Sequence, residues 1–407
     1  MRAERWLFSY ALLGFTQSGV IPILMPLVAP NRASAGVTYA AFSILGLCAP
    51  ILGTWADRTG RHRDLLISGT VGAGVLLLLF DAVGGPLRIV IAAGAGLGTT
   101  AAATAGNVLA IQGKPEADWD GNVARLQRFM SAGQVLGLIS VGLLAHSYPL
   151  GGFTLAAIAL LAAGVMGFFW APAGSPRDRL DKPKPAPMVG GDAAAPAAHH
   201  RGHRASLREL GAFLTVINQR LRRFLIVWLI AYPAMNGFAT IFPVAMTREF
   251  GMDPVLPSAA YALGVGFSLL LYSPVATVTH RIGGGRMLMT GLAARLALLA
   301  ALTPLALWRD GRTAWLILVG FALVQLVWPL LSVASNSLSV RLAPGARGES
   351  VGLFNATTSL ASSVGSALAG VIFGAYGFSG LAGAAGVAVA VGLVLTVLWV
   401  PRAPVAS

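Results

Sequence analysis

Gly53-Thr54-Trp55-Ala56-Asp57-Arg58-Thr59-Gly60-Arg61-His62-Arg63 decides how the rest of this chain is read. It sets one carboxylate, three arginines, a histidine and two glycines between an apolar run ending near Ala56 and another beginning near Leu65. A connection this short and basic, wedged between two membrane-length apolar runs, lies at a membrane surface, and its charge puts it on the cytoplasmic side.

Composition agrees. The 407 residues are 56% hydrophobic and 11% charged, with a mean hydropathy of +0.73, whereas soluble domains carry about 25% charge. A transmembrane helix needs roughly 20 mainly apolar residues. Twelve such segments are expected, at 6–29, 36–56, 65–84, 87–111, 126–147, 150–171, 223–245, 256–279, 287–308, 313–337, 350–374 and 377–400. The fold class is thus an all-α membrane protein. The net charge of +14 does not point to nucleic acid, because the basic residues sort by loop. With both termini cytoplasmic, 23 of the 29 Lys and Arg fall on the inner side, among them Lys114, Arg281, Arg286, Arg341 and Arg347. Arg32, Arg88, Arg248, Arg309 and Arg312 fall outside, as the positive-inside rule expects. Arg295 is the one cation within a span, and it is expected to snorkel to the cytoplasmic interface. The first segment has no small-residue cleavage site and reads as a retained span. Cys48 is the sole cysteine, so no intramolecular disulfide forms.

Between the sixth and seventh spans the sequence turns to Pro, Ala and charge, from Pro176-Arg177-Asp178-Arg179 to His199-His200-Arg201-Gly202-His203-Arg204. Such a stretch cannot bury enough apolar surface to offset its ordering entropy. It reads as a cytoplasmic linker over 173–222, dividing an N-terminal bundle (1–172) from a C-terminal bundle (223–407). Apolar residues at helical spacing over Leu207 to Arg223 predict a helix on the membrane surface. The histidines have no Cys or carboxylate framework beside them, so neither metal nor cofactor is expected.

The two halves echo one another. Asp57-Arg58-Thr59-Gly60-Arg61-His62-Arg63 aligns with His280-Arg281-Ile282-Gly283-Gly284-Gly285-Arg286, Gly106-Asn107-Val108-Leu109 with Ser335-Asn336-Ser337-Leu338, and Gly133-Gln134-Val135-Leu136-Gly137 with Gly365-Ser366-Ala367-Leu368-Ala369-Gly370. The order is kept and the offsets run from 223 to 232. Two pseudo-symmetric six-helix bundles follow, a repeat plan common among secondary transporters.

On these residues the chain resembles the major facilitator superfamily. The loop between spans two and three is similar to the family's G-x-x-x-D-R-x-G-R-[KR]-[KR] pattern: Gly53, Asp57, Arg58, Gly60, Arg61 and Arg63 match, and His62 departs. The resemblance implies that this loop is a conformational switch holding the bundles together, with Asp57 facing the start of span eleven. A carboxylate there gains about 0.3–1 kcal/mol from helix N-terminal amides at the surface, and up to about 2 kcal/mol when partly buried. The basic residues of the loop have Glu116, Asp118 and Asp120 as candidate partners.

Span five departs from the G-P-x-x-G-G pattern of the superfamily's drug–proton antiporters, since Gln134 and Leu138 replace proline and glycine. The spans hold few ionisable groups, which leaves Asp57 and Asp81 as proton carriers, with uncoupled diffusion as the alternative. By resemblance, helices one, four, seven and ten line a central cavity. They and their neighbours supply the candidate substrate contacts Gln17, Asn107, Gln134, Tyr232, Asn236, Gln325, Trp328, Asn336 and Asn355, with Thr104, Tyr39 and Tyr261 nearby. Pro22 and Pro26, and Pro233, Pro243, Pro274 and Pro329, mark candidate hinges.

The expectation is an exporter of small amphipathic, uncharged or weakly cationic molecules, proton-coupled, working by alternating access as a monomer in a bacterial cytoplasmic membrane. Its partners are the solute, protons and lipid. Import or uniport of a neutral metabolite is the alternative, and a non-transporting assembly role on the same fold is the third reading. No H-E-x-x-H, G-x-S-x-G or paired intramembrane carboxylates occur, so no enzyme activity is expected.

Overall fold

The computed structural model describes residues 5–27, 32–83, 86–112, 118–144, 151–172, 219–308, 311–342 and 347–400, and among them there is no strand. Helix α1 runs Leu7–Leu27, and α2 runs from Arg32–Ile44 through a 3-10 turn, Leu45–Cys48, into Ala49–Thr59. Next come α3 (His62–Ala82), α4 (Pro86–Ile111), α5 (Trp119–Leu144) and α6 (Gly151–Trp170). The second half opens with α7 (Gln219–Arg248), α8 (Val255–Ile282), α9 (Gly284–Leu305) and α10 (Gly311–Arg341), the last broken at Val327. The stretch Arg347–Trp399 is interrupted at Gly377, φ 68°, which separates α11 (347–376) from α12 (378–399).

These are the twelve helices expected. Among the described residues, nine helical stretches are long and apolar enough to cross a membrane, the Ser350–Trp399 stretch containing both α11 and α12. The two remaining helices are α2, with the shorter apolar core Tyr39–Gly53, and α5, which carries Asp120, Arg125 and Arg128 near its start. Large apolar side chains face outward, Leu143, Phe169 and Leu270 each at least 70% exposed, as in a protein whose solvent is lipid. Most of the expected linker and surface helix lies outside the described residues. Its last part does not: Gln219 to Arg223 form the first turn of α7. At 30 residues that helix is about 45 Å long, against a hydrocarbon core of about 30 Å, so its basic first turn extends past the apolar slab.

The repeat is written in backbone geometry. Gly60 ends α2 at φ 68° and Gly283 ends α8 at φ 90°. Gly60 N–H donates to Ala56 O at 2.8 Å, and Gly283 N–H to Thr279 O at 2.9 Å, so both the glycine and its acceptor recur at an offset of 223. Glycine suits this place because positive φ costs other residues steric strain.

The glycine echo in spans five and eleven is a packing device, also used twice. A Cβ on Gly133 of α5 would strike the Ala11 carbonyl of α1, and one on Gly365 of α11 would strike the Pro233 carbonyl of α7. Lipid tails are as apolar as leucine, so close backbone approach rather than hydrophobic exclusion holds such helices together. At the far end of α7, Glu249 Oε2 accepts the Phe378 N–H at 2.9 Å, capping α12 just beyond Gly377.

Because the helices alternate in direction, the loops after α2, α4, α8 and α10 share one face with the described chain ends. On this terminal face Trp119 and Val123 of α5 form a buried cluster with Val340 of α10 and Val351 of α11. The two halves are in contact there.

Candidate functional site

A cavity lies between the halves, about two to three helical turns inward from that cluster. The first half contributes Gln17 and Ser18 of α1, Tyr39 and Ser43 of α2, Thr100 of α4 and Gln134 of α5. The second contributes Tyr232 and Asn236 of α7, Tyr261 of α8, Arg295 of α9, Gln325 and Trp328 of α10, and Ser362 of α11. Of the expected substrate contacts, Gln17, Gln134, Tyr232, Asn236, Gln325 and Trp328 are thus brought together.

Proline shapes two of these walls. Pro22 has no N–H and its ring crowds the Ser18 carbonyl. The preceding turn widens into a π-helix over Phe15–Val20, with Ile21 N–H donating to Thr16 O, and Gln17 and Ser18 lie within it. π turns of this kind cluster at functional sites. Pro329 acts likewise on α10, which breaks at Val327 between the cavity residues Gln325 and Trp328. By contrast, Pro233, Pro243 and Pro274 sit inside continuous helices.

Arg295 departs from expectation. It does not snorkel: it is 3% exposed, lines the cavity, and donates from Nη2 to the Val324 carbonyl at 3.3 Å. The break at Val327 leaves α10 with an interior C-terminal end, whose partial negative charge attracts a cation, and this end draws the side chain inward. Its guanidinium lies 5.9 Å from the Trp328 ring centroid, within cation–π range. Arg295 is the only charged residue lining the cavity among the described residues. Matching the buried faces of α3 and α9, Leu65 with Met287, Leu66 with Leu288 and Leu77 with Leu299, puts Ala73, itself buried, at the position equivalent to Arg295. The repeat is electrically lopsided.

Around the cation stand aromatics and amides. The Tyr232 ring lies 4.9 Å from Trp228 and 6.1 Å from Trp328. Asn236 Nδ2 is committed to α11, donating to Ser366 Oγ at 3.0 Å. Two amides keep free valence: Gln17 Oε1 and Gln325 Nε2 are buried with no hydrogen-bond partner among the described residues, and Gln325 is only 4% exposed.

Asn107, Asn336 and Asn355 do not line the cavity. Asn336 Nδ2 donates within its own helix to Ser332 O at 2.8 Å, and Asn355 Nδ2 of α11 reaches across the halves to Thr104 Oγ1 of α4 at 3.1 Å. Asn107 lies one turn further along α4, and its Oδ1 has no partner among the described residues.

In the 53–63 loop, Gly53 is buried and Gly60 makes the turn. Arg61 pairs with Asp64 at 3.8 Å, both side chains at least 60% exposed, a contact of little energetic weight. Arg63 donates to the Phe168 carbonyl and lies over its ring at 5.4 Å. Both of these contacts lie within the first half. The side chains of Asp57, Arg58, Asp81 and Asp120, and all of Glu116, lie outside the described residues.

Solved structures share this architecture. The human organic anion transporter MFSD10 (TETRAN) superposes with a TM-score of 0.72 at 14% identity, covering 97% of this chain and 99% of its own. A mutant of the nucleoside transporter NupG gives 0.69 at 11% identity with 98% of both chains covered. A bacterial homologue of the iron transporter ferroportin, in an outward-facing state, gives 0.66 at 16% identity and 98% of both. At these identities the likeness is one of fold. No curated protein sequence matches the chain. The family pattern of the Major Facilitator Superfamily matches over residues 6–360 and again over 224–407. Twelve helices in two related halves around a shared cavity accompany that match, and the chain belongs to the Major Facilitator Superfamily.

Proposed function

We propose that this protein is a secondary transporter that exports a small amphipathic organic solute by alternating access, its two halves rocking about the central cavity. The carrying observation is that one cavity takes polar side chains from both repeats, so relative motion of the halves remakes its walls. Stacked aromatics beside amides with free valence suit a solute that is apolar over most of its surface and polar at a few points. Arg295 narrows the expected range, since a cationic solute would meet an uncompensated positive charge there. Neutral and anionic solutes remain. Coupling to protons through Asp57 or Asp81, a bacterial cytoplasmic membrane, cytoplasmic termini and a monomeric state complete the reading.

Accumulation assays test it. In an efflux-deficient bacterium, the protein lowers the accumulation of neutral or acidic amphipathic compounds, and both a protonophore and Asp57→Asn abolish the effect. Raised accumulation reverses the direction to import. Unchanged accumulation across a broad panel, together with no flux in proteoliposomes, refutes transport.

A further inference from the structure

We infer that the wall formed by Arg295 and Gln325 is an anion seat, and that the solute is a monoanion, an organic carboxylate attached to an apolar, ring-bearing body. This rests on the transport reading for its role in flux, while the seat itself is a binding claim.

Three observations carry it. Arg295 presents five N–H donors from a side chain 3% exposed, yet among the described residues it makes a single hydrogen bond, at 3.3 Å to Val324 O. The carbonyl it meets is uncharged, which leaves the positive charge of the guanidinium unmatched among the described residues. Beside it Gln325, next in sequence to Val324, holds a buried Nε2 with no acceptor among the described residues. Two unfilled donor groups on adjacent walls, with no carboxylate lining the cavity among the described residues, form a receptor for an acceptor group carrying negative charge. A carboxylate meets a guanidinium through paired hydrogen bonds.

The remaining surfaces set the rest of the solute. One cation compensates one negative charge, so a dianion would retain an unpaired buried charge. The rings of Tyr232 and Trp328, 6.1 Å apart, offer flat apolar area next to the seat. Across the interface Gln17 Oε1, without a donor among the described residues, suits a hydroxyl or N–H at the far end of the solute.

The test uses the purified full chain in detergent and matched triplets of aromatic acid, primary amide and amine: benzoate, benzamide and benzylamine, and their indole and naphthalene analogues. Binding is read by thermal shift and equilibrium dialysis, and flux in proteoliposomes. Within at least one triplet the acid should bind about tenfold or more tighter than its amide, and the amine should be weakest. Arg295→Gln should weaken acid binding about 30-fold or more, the scale of removing one partner of a buried charge pair, and leave amide binding within about twofold. Arg295→Lys should recover part of the acid preference, and Gln325→Leu should lower it while Arg295 stays in place. Size-exclusion elution and Tm show that each variant is folded.

Equal affinity for acid and amide in every triplet, no binding of any acid, or an acid preference that survives Arg295→Gln in folded protein overturns the seat. Acid binding without flux of any compound keeps the seat and refutes transport. Flux of amides without acid preference does the reverse.

Discussion

Asn355 of α11 donates its side-chain N–H to Thr104 Oγ1 of α4 at 3.1 Å, and Thr104 donates onward to the Thr100 carbonyl at 2.9 Å. Thr100 and Ser359 line the cavity, so this bridge between the halves sits one turn beyond the cavity, on the side of the Trp119–Val351 cluster. On the proposed alternating-access reading, opening the terminal face breaks it. A net hydrogen bond contributes about 0.5–1.5 kcal/mol, so Asn355→Leu should shift the closed–open equilibrium about 2- to 12-fold toward opening. Alkylation rates of a cysteine at Ser359, in a Cys48→Ser background, should rise correspondingly from the terminal side. An unchanged rate would mean that the bridge does not hold the closed form.

The paired helix ends at Gly60 and Gly283 predict unequal tolerance. Gly60 has φ 68°, ψ 19°, a left-handed turn that asparagine also adopts. Gly283 has φ 90°, ψ 148°, a region nearly reserved for glycine. Gly60→Asn should lower Tm only slightly, whereas Gly283→Asn should cost about 1–3 kcal/mol and several degrees. Thermal unfolding in detergent checks the order.

At the crossings of α1 with α5 and α7 with α11, even one methyl is too many. Gly133→Ala and Gly365→Ala each put a Cβ against a carbonyl of the facing helix. Overpacking of this kind costs about 1–3 kcal/mol. Gly121→Ala, in open space on α5, is the control and should leave Tm and yield unchanged. Equal behaviour of all three variants would contradict the packing described.

Glu249 caps α12 from the end of α7, accepting the Phe378 N–H at 2.9 Å. Cap removal costs about 0.5–2 kcal/mol, and a carboxylate adds attraction to the helix N-terminus. Glu249→Ala should therefore destabilise more than Glu249→Gln, and hydrogen exchange should rise first over residues 378–381.

Much of this was legible in the sequence. The apolar spans, the repeat and its glycines come from composition and spacing, which a bilayer constrains tightly. The amides and aromatics Gln17, Gln134, Tyr232, Asn236, Gln325 and Trp328 could be assigned to the cavity because the family resemblance implies which helices line it, and polar groups in a span avoid lipid. Depth was harder to read: Asn107, Asn336 and Asn355 lie on inner helices but beyond the cavity, two of them committed to Ser332 and Thr104. Arg295 was read the wrong way round. A span that is apolar on every side conceals its rotational phase, and the inward pull comes from a helix end created by a proline 34 residues away, Pro329. The signal available was that it is the lone cation in a span.

The lopsided placement of Arg295 opposite Ala73 has an electrical consequence. The positive charge belongs to α9 and travels with the second half, while the first half carries none at the equivalent position. Any displacement of that half along the membrane normal moves the charge through part of the transmembrane field, worth about 2.3 kcal/mol per elementary charge per 100 mV for a full crossing. With an anion seated on Arg295 the pair is neutral, and the field no longer acts on it. On the proposed transport of an anion seated at Arg295, empty and loaded carriers respond differently to the resting potential, and voltage acting on a fixed arginine becomes a source of directionality in its own right.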